Sequence, residues 1–274
     1  FDQFRTEFVR DLETAPNKKN VRSLVRRHGK RLWETAVARS QGRRPRMGEL
    51  HPYDDRPLYW ARLELTAALR RYRPSFSLSD DEHENLLELL EYASRGITST
   101  KLPRGGDGIT RILVSGFDPF TFIWSDSPEG LRHDNPSGAA ALQLNGRHLE
   151  TDQGPVFVES VLFPVRWQDF DDGILEDAFG PRLQEDAHDM ILTISQGGRG
   201  IMDIEGWAGS WRGGILGSNL ETREGYIPPA PGWPDPSIDD PFVPGDGRLE
   251  WVETTLPYRE MMRAAEEPWP IVFD

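Results

Sequence analysis

Apolar residues recur every three or four positions through the first hundred residues, which is the spacing of helices with one buried face. In FDQFRTEFVRDLETA the apolar positions are Phe1, Phe4, Phe8 and Leu12. The same periodicity predicts three further helices, within residues 17–42, 54–74 and 79–96. Ser79 and Glu82 form a capping-box pattern at the start of the fourth helix. Four helices with short connections predict an all-α N-terminal unit over residues 1–96.

From residue 111 the pattern changes to short apolar runs that alternate with helical segments. It predicts strands within 111–120, 156–165 and 190–194, and helices within 135–146 and 167–187. Strands that alternate with helices are typical of right-handed crossovers and an open α/β sheet. Residues 97–110 are small, polar and rich in glycine, which predicts a linker. The predicted fold class is therefore α/β, with a mainly parallel open sheet and flanking helices after the all-α unit.

The end of the chain is less regular. Residues 226–246 contain seven prolines and no periodicity, which predicts a long irregular loop. TTLPYREMMRAAEE then predicts a short helix, and PIVFD reads as the opening of another strand. Because the chain stops on the first residues of a strand, we expect the α/β domain, residues 111–274, to be incomplete at its C-terminal end.

Composition excludes several classes of chemistry. The 274 residues carry a net charge of −13 and contain no cysteine, which removes disulfides, thiolate metal sites and thiol nucleophiles together. No apolar run approaches the roughly 18–20 residues that span a bilayer, so no membrane partner is predicted. Neither HExxH nor another close histidine pair indicates a metal, and no GxSxG serine elbow or dinucleotide fingerprint is present. No cofactor is predicted.

Charge is unevenly distributed along the chain. Residues 1–100 contain 19 Lys and Arg against 15 Asp and Glu, whereas the rest contains 13 against 30. One side of the second predicted helix is strongly basic. Its residues are Lys18, Lys19, Arg22, Arg26, Arg27, Lys30 and Arg31. Such a face attracts nucleic-acid phosphates, but docking against the acidic part of the chain is the simpler hypothesis, so no nucleic-acid partner is predicted. The first residue is Phe1, and with the absence of cysteine this favours a secreted protein slightly over a cytoplasmic one.

A spaced set of motifs runs through the predicted sheet. GFDPF at 116–120 is followed by NPS at 135–137, a strand into FPV, and a strand into QGGR with Glu205 six residues beyond its arginine. This set resembles pyroglutamyl peptidase I (pyrrolidone-carboxylate peptidase), a family of α/β cysteine peptidases that remove an N-terminal pyroglutamate. The resemblance covers about residues 111–225 and extends more weakly to 274.

The resemblance implies a role for each matching residue. Glu205 matches the acidic member of the family's Cys-His-Glu triad. The implied substrate-binding residues are Phe117, Phe120, Gln196, Gly197, Gly198 and Arg199. Aromatic faces with a few polar groups suit a small, flat, neutral lactam. The implied substrate is a peptide with an N-terminal pyroglutamate, or another small cyclic amide.

The departures from the family are equally specific. Thr121 and Phe122 replace the two glycines of the family's GFxPFGG, and a tryptophan- and glycine-rich insertion follows Glu205. The chain has no nucleophilic cysteine, and none of its six histidines occupies the family's histidine position. Two hypotheses follow. Either the chain is a piece of a longer protein whose remainder completes the site, or the thiol has been lost and the pocket serves binding.

Structural interpretations of the same residues stay open. Phe117 and Phe120 alone would be ordinary core residues, and Asp118 before Pro119 is interpreted as a turn-capping residue. Trp207 and Trp211 could stack on a ligand or anchor a packed loop.

Overall fold

The structure, a computed structural model, describes the chain with several gaps. The described residues are 2–44, 49–101, 108–120, 133–184, 187–198, 200–228, 230–232, 251–264 and 270–273. Contacts divide the chain into two units. The first unit comprises Phe1–Val165 and Asp177–Ser195, and the second comprises Arg166–Glu176 and Gln196–Asp274.

The predicted N-terminal helices are confirmed in the first unit. They are α1 (Asp2–Glu13), α2 (Lys18–Ser40), α3 (Arg56–Arg71) and α4 (Asp80–Ser94). The capping box also forms, because the Ser79 side chain accepts the Glu82 N–H while the Glu82 side chain accepts the Ser79 N–H. The apolar faces of the four helices meet in one core, and residues Ala141, Leu142 and Leu162 extend that core beyond the helices.

Gly29 lies where α2 crosses α4. The sequence predicts a weakened or divided helix at this glycine, but α2 is continuous from Lys18 to Ser40. A Cβ atom at Gly29 would lie 2.7 Å from the Ala93 Cβ and 3.2 Å from the Leu90 carbonyl oxygen. The absence of a side chain at Gly29 therefore allows α2 and α4 to pack closely.

Gly29→Ala is expected to lower the free energy of unfolding by about 1–3 kcal/mol, because the added methyl overpacks the crossing with α4. In an exposed helix the same substitution would raise stability by about 1 kcal/mol. Urea unfolding followed by circular dichroism measures the change. Adding Ala93→Gly is the matched control, since it removes the opposing methyl and should restore most of the loss. A more stable single variant would contradict the packing role.

The sheet of the first unit has four strands, β1 (Thr110–Phe117), β2 (Arg147–Thr151), β3 (Gly154–Phe163) and β4 (Met190–Thr193). Their order across the sheet is β2-β3-β1-β4. β1 pairs in parallel with both β3 and β4, and β2 pairs antiparallel with β3 at the edge. Helix α5 (Pro136–Leu144) connects β1 to β2. The predicted α/β fold with a mainly parallel sheet is confirmed.

Two details of this region differ from the sequence prediction. β2 was not predicted, because RHLET has no apolar alternation and all five residues are exposed. The single helix predicted within 167–187 is two helices, α6 (Trp167–Asp171) and α7 (Ile174–Gln184). The break falls at Gly173, whose φ of 92° is a left-handed conformation that ends α6.

The second unit contains short paired strands. β5 (Met202–Ile204) pairs in parallel with β10 (Ile271–Phe273), which confirms the strand predicted at the end of the chain. The other pairs are antiparallel: β6 (Trp207–Gly209) with β9 (Trp251–Glu253), and β7 (Trp211–Gly213) with β8 (Glu224–Tyr226). Helix α8 (Tyr258–Ala264) lies within the predicted helix. The long loop predicted at 226–246 lies largely outside the described residues.

The basic face of α2 pairs with acids of the helical region. Its described ion pairs join Lys18 to Glu82 at 2.6 Å, Arg27 to Asp11 at 2.9 Å, Lys30 to Glu34 at 3.5 Å, and Arg31 to Glu7. Across the described residues, no helix combines the length and apolar character needed to cross a bilayer. The predicted boundary at residues 97–110 stays a prediction; the four helices share a unit with the sheet.

Candidate functional site

The end of β1 forms the candidate site, which we call the β1 corner (residues 116–120). Phe117 is the last residue of β1 and pairs with Phe163, the last residue of β3. Their ring centroids are 6.3 Å apart. Phe117 and Phe120 are both half-buried. In open α/β sheets, ligands bind beyond the carboxyl ends of the strands. Phe117 is at that end of β1, and Phe120 follows it by three residues.

The residues at the start of α5 hydrogen-bond to the backbone of the β1 corner. Asn135, which caps α5, donates from Nδ2 to the Asp118 carbonyl oxygen at 2.9 Å. The Asn135 Oδ1 accepts the Ser137 hydroxyl at 2.7 Å, and the Ser137 Oγ accepts the Phe117 N–H at 3.1 Å. A Cβ at Gly116 would lie 2.3 Å from the Ser137 carbonyl oxygen, so this contact requires glycine. The NPS motif therefore fixes the backbone of the corner.

Asp118 is the centre of a buried ion cluster. Both its carboxylate oxygens accept from the Arg62 Nη1 at 2.8 Å, and Oδ2 also accepts from the Arg95 Nη1 at 2.7 Å. Arg62 is 1% exposed, and Arg95 and Asp118 are 2% exposed. Burial raises the pKa of Asp118, but the two guanidinium groups outweigh it and hold that pKa below its ordinary value. The sequence interpretation of Asp118 as a turn-capping residue did not include these two arginines, which are its described carboxylate partners.

Asp55 approaches the corner from the loop before α3. Its Oδ1 accepts the Asn135 N–H at 3.0 Å, while its Oδ2 is buried without a described hydrogen-bond partner. Burial raises the pKa of Asp55 to about 8; the Asn135 N–H opposes the shift, and the carboxylates of Asp118 and Asp134 add to it. Asp55 is therefore protonated at neutral pH.

A second shifted carboxyl lies on the sheet itself. Burial raises the pKa of Glu159, on β3, to about 7, although the Lys101 backbone and the Arg182 guanidinium oppose the shift. Glu159 is only half-buried and pairs in register with Leu113 on β1. We assign it no part in the candidate site.

The other predicted site residues belong to the second unit. Gln196, Gly197 and Gly198 follow β4 and are exposed, and a Cβ at Gly197 would lie 3.2 Å from the Asp203 Oδ2. Glu205 follows β5 directly and is exposed. Arg199, like Thr121 and Phe122, lies outside the described residues. Phe117 and Phe120 are three residues apart at the end of β1, and the predicted site role of all these residues stays a prediction.

An ion pair between Arg212 and Asp171 joins the insertion after Glu205 to α6. The Arg212 Nη1 donates to the Asp171 Oδ1 at 2.5 Å, and the Arg212 guanidinium carbon lies 5.6 Å from the Trp167 ring centroid. Trp211 packs edge-to-face against Tyr226, with centroids 5.1 Å apart. Trp211 is thus a cross-strand packing residue on β7, although it is 54% exposed. Nothing in these contacts assigns it a ligand.

Sequence reasoning missed Arg62, Arg95 and Asp55. The signal for Arg62 is present in the sequence, since it occupies a position of the apolar stripe of α3. The buried residues of that stripe are Leu58, Ala61, Arg62, Leu65, Thr66 and Leu69. Arginine is almost never fully buried unless it is paired, so an arginine on a buried stripe indicates an internal carboxylate.

Comparisons with known proteins match two segments of the chain separately. Residues 1–91 match a family model described as PA0049 N-terminal domain, and residues 111–235 match one described as PA0049, C-terminal domain. A relative from Pseudomonas aeruginosa, named uncharacterized protein PA0049, is 38% identical over 234 residues, which is 80% of this chain and 42% of that protein. The chain therefore spans about two-fifths of the length of this relative.

Solved structures similar to this chain include two pyroglutamyl peptidases. Pyrrolidone carboxyl peptidase from Pyrococcus furiosus is 20% identical, with a TM-score of 0.39, over 60% of this chain and 64% of that one. Pyroglutamyl peptidase I from Bacillus amyloliquefaciens is 21% identical, with a TM-score of 0.42, over 60% of this chain and 65% of that one. The chain covers less than two thirds of either structure. These proteins bear the name of the family that the motifs resemble.

Proposed function

We propose that the chain supplies the substrate-binding side of a pyroglutamyl-peptidase-like hydrolase, which removes N-terminal pyroglutamate from peptides. The observation that carries the proposal is the half-buried aromatic pair Phe117 and Phe120 at the carboxyl end of the central strand β1. A lactam ring is small, flat and uncharged, so aromatic faces with few polar neighbours suit it. The spacing of the GFDPF, NPS and QGGR motifs adds support.

The chemistry of such a hydrolase needs more than a pocket. Thiol acyl transfer uses a thiolate nucleophile, an imidazole base, a group that orients the base, and donors for the oxyanion. We assign the orienting role to Glu205, whose carboxylate is exposed and so accessible to an imidazole. The 274 residues contain no cysteine, so a thiol route requires a cysteine from outside them.

The alternative is a non-catalytic protein that binds a pyroglutamyl group or another cyclic amide. The absence of cysteine favours this binding protein, because the 274 residues keep Phe117, Phe120 and Gln196 but lack the nucleophile. Hydrolase and binding protein share the same ligand, so they differ in turnover and not in affinity.

Phe117→Ala and Phe120→Ala are each expected to weaken lactam binding about tenfold or more, because each removes apolar contact area from the ring. Isothermal titration of the 274-residue chain with a pyroglutamyl-arylamide measures the affinity. Tyr53→Ala is the matched control, since this aromatic ring is 55% exposed and lies outside the corner. Absence of saturable binding by the unsubstituted chain would contradict the proposed pocket.

Turnover separates the two candidates. The protein isolated from its source is assayed on the same arylamide, before and after treatment with a thiol reagent. Turnover that the reagent abolishes, and that Glu205→Ala also abolishes, supports the hydrolase. Saturable binding without turnover supports the binding protein.

A further inference from the structure

We propose that the N-terminal helical region controls ligand binding at the β1 corner, with Arg62 and Arg95 as its positioning residues. The inference rests on the proposed function, in which Phe117 and Phe120 hold the ligand. It assigns helices α3 and α4 a part in ligand binding, whereas the resemblance to the peptidases begins only at about residue 111.

The first step is that Asp118 is fixed at every polar group it has. Its N–H donates to the Phe163 carbonyl oxygen at 2.9 Å, and its own carbonyl oxygen accepts from the Asn135 Nδ2. Its carboxylate accepts from Arg62 and Arg95. Asp118 follows Phe117 directly and is separated from Phe120 only by Pro119, whose φ is restricted. A displacement of Asp118 therefore displaces both aromatic rings.

The second step is that the two arginines are themselves held by α4. The Arg62 Nε donates to the Ser94 Oγ at 3.0 Å, and the Arg95 Nε donates to the Glu91 Oε2 at 2.9 Å. Both partners lie in the last turn of α4, while Arg62 comes from α3. The position of Asp118 consequently depends on how α3 packs against α4.

The third step is that α4 also contacts the sheet beside the corner. The Arg95 carbonyl oxygen accepts the Leu162 N–H at 3.0 Å, next to Phe163 at the end of β3. Gly96 follows Arg95 and has a φ of 86°, a left-handed conformation that favours glycine. It also packs against Trp33, because a Cβ at Gly96 would lie 2.8 Å from the indole ring. The helical region thus contacts β3 at Leu162 and, through its two arginines, Asp118, the residue that follows β1.

The fourth step is that the geometry demands arginine. One guanidinium contacts both carboxylate oxygens of Asp118 and a serine of α4 at once, through a rigid planar fork. A lysine keeps the positive charge but cannot span these partners. Arg62→Lys therefore separates the positioning role from the charge.

The test compares Arg62→Lys with the unsubstituted chain by amide hydrogen exchange and by ligand titration. We expect the Phe117 and Asp118 amides to exchange at least about tenfold faster, and the dissociation constant for a pyroglutamyl-arylamide to rise about tenfold, since a charged hydrogen-bond pair is lost from the corner. Ser94→Ala is a milder second variant, which removes only the hydroxyl that holds the Arg62 Nε and serves if Arg62→Lys does not fold.

Two controls exclude general destabilisation. Arg22→Lys changes an exposed arginine on α2 and should alter neither measurement. Leu12→Ala opens the core at α1, which packs against α2 and α3, and should lower the melting temperature without a selective change at the corner. Unchanged exchange at Phe117 and Asp118 in both Arg62→Lys and Ser94→Ala would overturn the inference. If the unsubstituted chain binds no lactam, the proposed function fails, while the exchange measurement still decides the positioning role.

Discussion

Replacing Asp118 by alanine is expected to lower the free energy of unfolding by about 3–5 kcal/mol, because two guanidinium groups would stay buried without their carboxylate. Arg62 is 1% exposed and Arg95 is 2% exposed, so water cannot replace the lost partner without opening the packing of α3 and α4. Glu91 would then neutralise only the Arg95 side of the cluster. Urea unfolding monitored by circular dichroism gives the free energy directly.

Asp152→Ala is the matched control for this substitution. Asp152 is an exposed acid in the turn between β2 and β3, and its removal should change stability by no more than about 0.5 kcal/mol. A loss below about 1 kcal/mol for Asp118→Ala would contradict the prediction. It would mean that the two arginines find solvent or other acceptors once the carboxylate is gone.

The ion cluster of Asp118, Arg62 and Arg95 joins the helices to the sheet at an energetic penalty. Burying charged groups loses their hydration, and apolar residues of similar volume often give equal or greater stability. Its distinguishing property is geometric, since one planar guanidinium joins Asp118, through Nη1, to Ser94 of α4, through Nε. This is the reason to interpret the cluster as a positioning device and to test it by exchange and affinity at the corner.

The elements that sequence periodicity predicted are those whose burial is regular. Helices α1 to α4 each bury one continuous apolar stripe, and β1 and β3 are apolar runs of a central parallel sheet. The edge strand β2 escaped prediction because edge pairing needs backbone hydrogen bonds and no apolar side chain. The short strands β5 to β9 of the second unit escaped prediction for another reason: each has three residues, too few to show a period.

The candidate site was predictable in part. The motif at the end of β1 located Phe117 and Phe120, because the carboxyl end of a central strand is where an open α/β sheet binds ligands. The partners of Asp118 were not predictable from local pattern. Arg62 lies 56 residues away in the chain, so only the fold brings the two together. Spacing near a motif cannot reveal a contact that another structural element supplies.

Asp55→Asn is expected to remove a pH dependence of stability between about pH 4 and pH 8. In the folded chain the pKa of Asp55 is raised from 3.8 to about 8, so the carboxyl keeps its proton where the unfolded chain has lost it. The folded state then binds more protons, and its stability falls as pH rises through this window, by about 1.4 kcal/mol per pH unit. Below about pH 4 both states are protonated, and this penalty is absent.

Asparagine keeps an oxygen to accept the Asn135 N–H and carries no charge at any of these pH values. At pH 8 the variant should therefore be the more stable by several kcal/mol, on the order of 5 at most, and at pH 4 the two proteins should be nearly equal. Urea unfolding at half-unit steps of pH measures the difference. Glu159→Gln is the control: it should flatten the profile only up to about pH 7, where the raised pKa of Glu159 ends its contribution. Parallel profiles for Asp55→Asn and the unsubstituted chain would contradict the prediction, because they would mean that Asp55 is ionised at neutral pH, beside Asp118, within the folded corner.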